Sequence, residues 1–230
     1  MFDFGQTKSL PVPYHTQVSE VHCQSTVLKM YAQYLDRYKF PGKAFGNVEV
    51  PKIWSEINLA GNPDKRRNKV ARNAHANIQQ WLEDRYDPQL WKWTYPNDPE
   101  VALTTIVRSI NVGFPVIAGV SHKRVEGHIV LIVGYVFDRF TDQLSSGTVL
   151  QSYSEYRSHR LIVHDPYGAF HPSLDSNLFG KNRFVGGSSM LGGGEIAAGK
   201  GVVLSLYDVS RQRGLKSSVE HGSFNLMAPL

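Results

Sequence analysis

Residues 127–136 read GHIVLIVGYV. The run is apolar, rich in β-branched side chains and held between glycines, which is a strand signal. Working outward, Pro115–Val120 is a shorter β-branched run before it, and Leu161–Val163 is another after it. Val202–Tyr207 supplies a last strand candidate. The polar stretch Asp138–Arg160 lies between the second and third runs and has room for a hairpin of its own.

Further toward the N-terminus the period changes. Val27, Met30, Tyr31, Tyr34, Leu35 and Tyr38 recur at three- and four-residue steps. This is a helix over Cys23–Tyr38, ended by Pro41-Gly42. Pro51–Leu59 forms a second helix on Ile53, Trp54 and Ile57, and a third runs from about Lys69 to Tyr86. Trp91–Tyr95 reads as a short strand whose tryptophans pack into the core. Asp98-Pro99-Glu100 then opens a helix through Ile110, with Asp98 as cap and Pro99 at the first position. Residues 1–20 read as an irregular lead-in, and the tail from Asp208 as polar and peripheral. Helices come first and strands follow, so the fold class is α+β, with N-terminal helices packed on an antiparallel sheet.

The chain has 230 residues, of which 41% are hydrophobic and 20% charged. That supports a sizeable core in a single domain spanning 1–230 and excludes disorder. No apolar run approaches the roughly 18–20 residues of a membrane span. Met1–Leu10 lacks the pattern of a signal peptide, so the expectation is a soluble, cytoplasmic protein. The net charge is +5, which favours anionic partners. The densest basic cluster, Lys65-Arg66-Arg67-Asn68-Lys69, reads as a solvated helix face, and no nucleic acid is expected.

There is one cysteine, so neither a disulfide nor a cysteine-rich zinc site is available. Cys23 is then a buried small hydrophobe, an idle thiol or a nucleophile. It stands at a helix N-terminus, whose field favours a thiolate. A cysteine nucleophile needs a base, and the base needs an orienting group. His128 begins the strongest strand and Asp165 follows the strand Leu161–Val163. If those strands are antiparallel neighbours, His128 and Asp165 meet at one end of the sheet. Gln17, six residues before Cys23, carries an amide able to donate to a developing oxyanion.

These residues resemble a known family. Gln17-x5-Cys23, the helix after it, a Gly-His-hydrophobic strand and an Asp-Pro after another strand are similar to the papain-like cysteine peptidases. The likeness is strongest to their bacteriocin-processing, double-glycine-leader branch. Val12-Pro13-Tyr14-His15-Thr16-Gln17, Gly113–Val120, Gly127–Tyr135 and Val163–Gly168 each resemble a segment of that branch. The likeness covers about residues 11–170 and leaves 171–230 as an unmatched extension. It implies a papain-like fold, Cys23 as nucleophile, His128 as base and acid, Asp165 as orienter and Gln17 as oxyanion donor. It also implies hydrolysis of a peptide or isopeptide bond with no cofactor and no metal. One departure is Gln24, where many relatives have glycine directly after the cysteine.

Three functions follow as expectations. The first is cleavage of peptidoglycan peptide in the manner of a phage lysin, suited by the basic charge and reaching the wall by a route without a signal. The second is an intracellular peptidase that trims a precursor or removes a conjugated partner. The third is a binding module on the same fold with catalysis lost. Asp138–Arg160 and Gly186–Gly194 are the expected specificity loops. Gly194-x4-Gly199-Lys200-Gly201 approaches a phosphate-binding loop, but it lacks the final Ser or Thr and a strand follows. His122, His128, His164 and His171 match no metal-ligand spacing. His22 and His164 remain as alternative bases, His164 disfavoured because neighbouring strand residues point to opposite faces.

Overall fold

A computed structural model of the chain describes residues 7–17, 22–59, 75–122, 125–136, 160–166, 199–209 and 224–230. It groups into two compact units. The first comprises Met1–Leu10, Thr94–His164 and Gly201–Ala228, and the second Pro11–Trp93, Asp165–Lys200 and Pro229–Leu230.

The first unit is built on the apolar run of residues 127–136. It is strand β4 (Val125–Val136), paired antiparallel on one side with β3 (Val116–His122). On the other side it pairs antiparallel with β5 (Arg160–His164), which pairs in turn with β6 (Val202–Ser205). Strand β7 (Asn225–Pro229) lies along the free side of β3, so the order across this part of the sheet is β7-β3-β4-β5-β6. Ile129 through Val133 are all buried, which explains why β4 is continuously apolar rather than alternating. Helix α4 (Pro99–Asn111) packs on β3 and β4. Its start follows the sequence: Asp98 accepts the Glu100 N–H at 2.8 Å, and Pro99 occupies the first turn.

Strand β1 (Thr7–Ser9) corrects the expectation of an irregular lead-in. β4 is longer than β3, whose pairing ends with Val116 opposite Ile132. Past that point β4 would present unpaired amides and carbonyls, which costs free energy when they are buried. β1 takes over that edge, with Thr7 opposite Val136 and Ser9 opposite Gly134. Leu10 N–H then donates to Val133 O at 2.8 Å.

The described end of the tail, 224–230, is likewise not peripheral. Phe224, Leu226 and Met227 are fully buried, and Ala118 stands opposite Leu226. The last strand candidate is also shorter than expected. β6 ends at Ser205, and Leu206–Val209 form a helical turn, α5, packed on β3 and β6.

The second unit holds the early helices: α1 (Cys23–Tyr38), α2 (Val50–Leu59) and α3 (His75–Glu83). α1 has the limits that its apolar stripe predicts. The hydrogen bonding of α3 runs on to Tyr86, whose N–H donates to Leu82 O at 2.9 Å. The expected start of α3, the basic cluster 65–69 and the two expected specificity loops lie outside the described residues, apart from Arg160. A single-turn helix over Phe45–Asn47, which the sequence reading had missed, packs against α1.

Strand β2 (Trp91–Thr94) begins in this unit. Trp91 and Trp93 are core residues, as their pattern implied. Trp91 Nε1 donates to the Tyr31 hydroxyl at 3.0 Å, and Trp93 Nε1 to His75 O at 2.7 Å. The whole is α+β with an antiparallel sheet, as expected. No helix among the described residues is long and apolar enough to cross a membrane.

Candidate active site

Cys23 is the first residue of α1 and is 5% exposed. The helix enters tightly, because Thr26 N–H and the Ser25 hydroxyl both donate to His22 O, at 2.9 and 3.1 Å. The first N–H groups of a helix have no intrahelical acceptor and carry the positive end of its dipole. No acidic side chain in the first turn of α1 offsets that field at Cys23.

The thiol donates to Gln24 Oε1 at 3.3 Å. Gln24 therefore does more than replace a glycine: its buried amide is a hydrogen-bond partner of the sulfur. His22, flanking Cys23, is half-buried beside the Trp54 ring, 5.8 Å between centroids. Burial pushes its imidazole below the ordinary histidine value.

Gln17 and Asp165 are both buried, and the structure ties their segments together. Gln17 N–H donates to Pro166 O at 2.8 Å. The Tyr14 hydroxyl donates to Asp165 O at 2.9 Å, and Asp165 N–H donates to Gly199 O at 2.9 Å. Burial, and after it the negative charge of Asp165, push the Tyr14 phenol well above its ordinary value.

His128 belongs to the other unit. It is 1% exposed, on β4 opposite Val120 of β3. The strand β5 runs antiparallel beside β4, as the placement of His128 and Asp165 required, with His164 opposite Leu131. Asp165 is the next residue of the chain. His164 itself is buried, and its Nδ1 accepts the Gly201 N–H at 3.0 Å. One nitrogen of this alternative base is thus committed to main chain. Gly199 to Gly201 form a turn into β6 rather than a loop opening a helix, which disposes of the phosphate-loop likeness. Among the described residues, no three His, Cys, Asp or Glu side chains are grouped to hold a metal.

The model of the Peptidase_C39 like family matches residues 9–184, a span that contains Gln17, Cys23, His128 and Asp165. The chain belongs to this family. Membership bears out the resemblance to papain-like cysteine peptidases and makes the protein a chain of a cysteine-peptidase family. No curated protein matches it. Among solved structures it is similar to the crystal structure of UfSP from C. elegans, at 13% identity and a TM-score of 0.47. That match covers 100% of this chain, which spans only 35% of the other chain's length. Two features of the family member escaped sequence reading. The link from Tyr14 to Asp165 joins residues 151 positions apart, and the Cys23–Gln24 contact depends on a rotamer. Neither leaves a periodic trace.

Proposed function

We propose that this Peptidase_C39 like chain is a cysteine hydrolase cleaving an amide bond, with Cys23, His128, Asp165 and Gln17 as its machinery. The observation that carries the reading is the family match over residues 9–184, a span within which all four residues lie. Cys23 on the first turn of α1 and Asp165 directly after the strand beside that of His128 support it.

The chemistry is acyl transfer. His128 takes the thiol proton, and Cys23 sulfur attacks the carbonyl carbon. The resulting oxyanion is met by the Gln17 amide and the Cys23 main-chain N–H. His128 returns the proton to the leaving amine, leaving a thioester. Water, deprotonated by the same imidazole, then releases the acid and frees the thiol. Asp165 holds the imidazole in the tautomer these steps need.

The substrate we propose is the peptide of bacterial peptidoglycan. The net charge of +5 supports it, because the wall polymer is anionic. Purified walls are incubated with wild type, Cys23→Ala and His128→Ala, following turbidity and newly released amines. The expected result is clearing by wild type and a loss of at least about a thousandfold in both variants. Walls left intact by an enzyme that cleaves other peptides would reject the substrate. Wall binding with no amine released by wild type would replace the hydrolase with a binding module.

A further inference from the structure

We infer that Tyr14 is a positioning residue for Asp165, a role that rests on the reading of Asp165 as the group orienting His128. The dipeptide Asp165-Pro166 has three main-chain polar groups, since proline has no N–H to donate. All three are engaged. Asp165 N–H donates to Gly199 O, Asp165 O accepts from the Tyr14 hydroxyl, and Pro166 O accepts from Gln17 N–H. Asp165 is fully buried, so each of these groups would be costly to leave unmade. Only one of the three bonds comes from a side chain, and so only that one is set by residue type.

The same lead-in segment carries both contacts. Tyr14 grips one side of the turn and Gln17, three residues on, grips the other. The oxyanion donor and the orienting acid are thereby held in one register, and the Tyr14 hydroxyl fixes it. That hydroxyl also stays protonated, and so remains a donor, well into alkaline solution. Removing it takes this donor from Asp165 O and lets the turn shift relative to Gln17. A shift of a few tenths of an ångström in a carboxylate that aligns a base is enough to slow a reaction.

The test needs no substrate. Cys23 is the sole cysteine, so carboxamidomethylation by iodoacetamide reports on it alone. The rate at neutral pH is measured for wild type, Tyr14→Phe, Asp165→Asn and the double variant. Tyr38→Phe, at an exposed position on α1, serves as the control and keeps the wild-type rate. Asp165→Asn is expected to slow labelling tenfold or more by releasing the imidazole. Tyr14→Phe slows it by about three- to tenfold, the weight of one hydrogen bond. The double variant labels no more slowly than Asp165→Asn alone, because Tyr14 acts through that carboxylate. Phenylalanine keeps the ring volume, so the melting temperature falls by no more than about 4 °C.

A wild-type rate in Tyr14→Phe beside a slow Asp165→Asn overturns the inference and leaves the catalytic reading standing. A Tyr14→Phe effect that persists undiminished in the double variant also overturns it, since Tyr14 then acts elsewhere. A wild-type rate in Asp165→Asn removes the role of Asp165 itself and takes the inference with it.

Discussion

Gly46→Ala should destabilise the second unit far more than Gly42→Ala, although Gly46 has an ordinary φ and Gly42 a φ of +98°. Gly46 lies in the single-turn helix against α1, where an added Cβ would meet Gln33 Cα and Cγ at 2.5 Å. Carbon atoms rest about 3.5–4.0 Å apart, so the turn must retreat by roughly 1 Å. Gly46 N–H donates to Asp36 Oδ2 at 2.7 Å, and a retreat of roughly 1 Å takes that bond beyond useful length. Overpacking of this kind costs about 1–3 kcal/mol. The lost bond to a carboxylate adds on the order of 1 kcal/mol, because Asp36 is half-exposed and keeps the Tyr86 hydroxyl at 2.8 Å. The total is about 3 kcal/mol, or roughly 6–12 °C in melting temperature for a chain of this size. At Gly42 nothing lies within 4 Å of the added atom. Only the left-handed backbone is strained there, at about 1 kcal/mol or roughly 2–4 °C. Calorimetry on both variants decides the matter. Equal shifts, or a Gly46→Ala melt within about 2 °C of wild type, would refute the claim that contact with α1 sets the requirement.

Three further outcomes are expected. Replacing Gln24 with alanine removes the acceptor 3.3 Å from Cys23 Sγ. Iodoacetamide labelling at fixed pH should then accelerate by about two- to tenfold, and an unchanged rate would mean the contact does not restrain the thiol. Tyr31 is fully buried, and burial raises its phenol above the ordinary value of about 10. The unfolded chain therefore releases that proton first, so stability present below about pH 10 is lost as pH rises above it. Urea midpoints falling from pH 9 to 11, less steeply in Tyr31→Phe, would show this. Gly134→Ala drives its Cβ into Lys8 O and Ser9 Cα of β1. The amides of Val133 to Val136 should then exchange with deuterium faster, and unchanged protection would mean that β1 contributes nothing there.

The elements legible in the sequence are those whose burial has a period. α1 announced both its ends because one face is apolar at helical steps and Pro41-Gly42 closes it. β4 stood out because His128 through Tyr135 are all buried. β1 was not legible, since Thr7, Lys8 and Ser9 are neither β-rich as a run nor buried. It is a strand because β4 extends past β3 and has main-chain groups to satisfy there. β7 was masked by the polar residues before it and by Pro229. Five residues, three of them paired with β3, give no alternation to count. α5 failed for the opposite reason: Leu206 continues an apolar run, yet the backbone turns into a helix there, packed on β3 and β6.

The candidate site divides along the same line. Residue types and order were enough to single out Gln17, Cys23, His128 and Asp165, because acyl transfer asks for a nucleophile, a base, an orienter and a donor, whatever the fold. What the sequence could not supply is how those groups are held. Gln24 looked like a departure, a bulky residue where many papain-like relatives have glycine. In the structure its amide oxygen accepts a hydrogen bond from the thiol, so the departure is a contact made on Cys23 itself. Tyr14 looked like part of an opening motif and nothing more. Its hydroxyl completes the main-chain bonding of the Asp165-Pro166 turn from 151 residues away. A hydrogen bond from side chain to main chain names only its donor in the sequence, because the acceptor is a carbonyl that every residue has. Supports of this kind are therefore the part of a site that residue patterns hide most completely. Their substitution is also the cleanest way to ask whether a proposed acid must be held still.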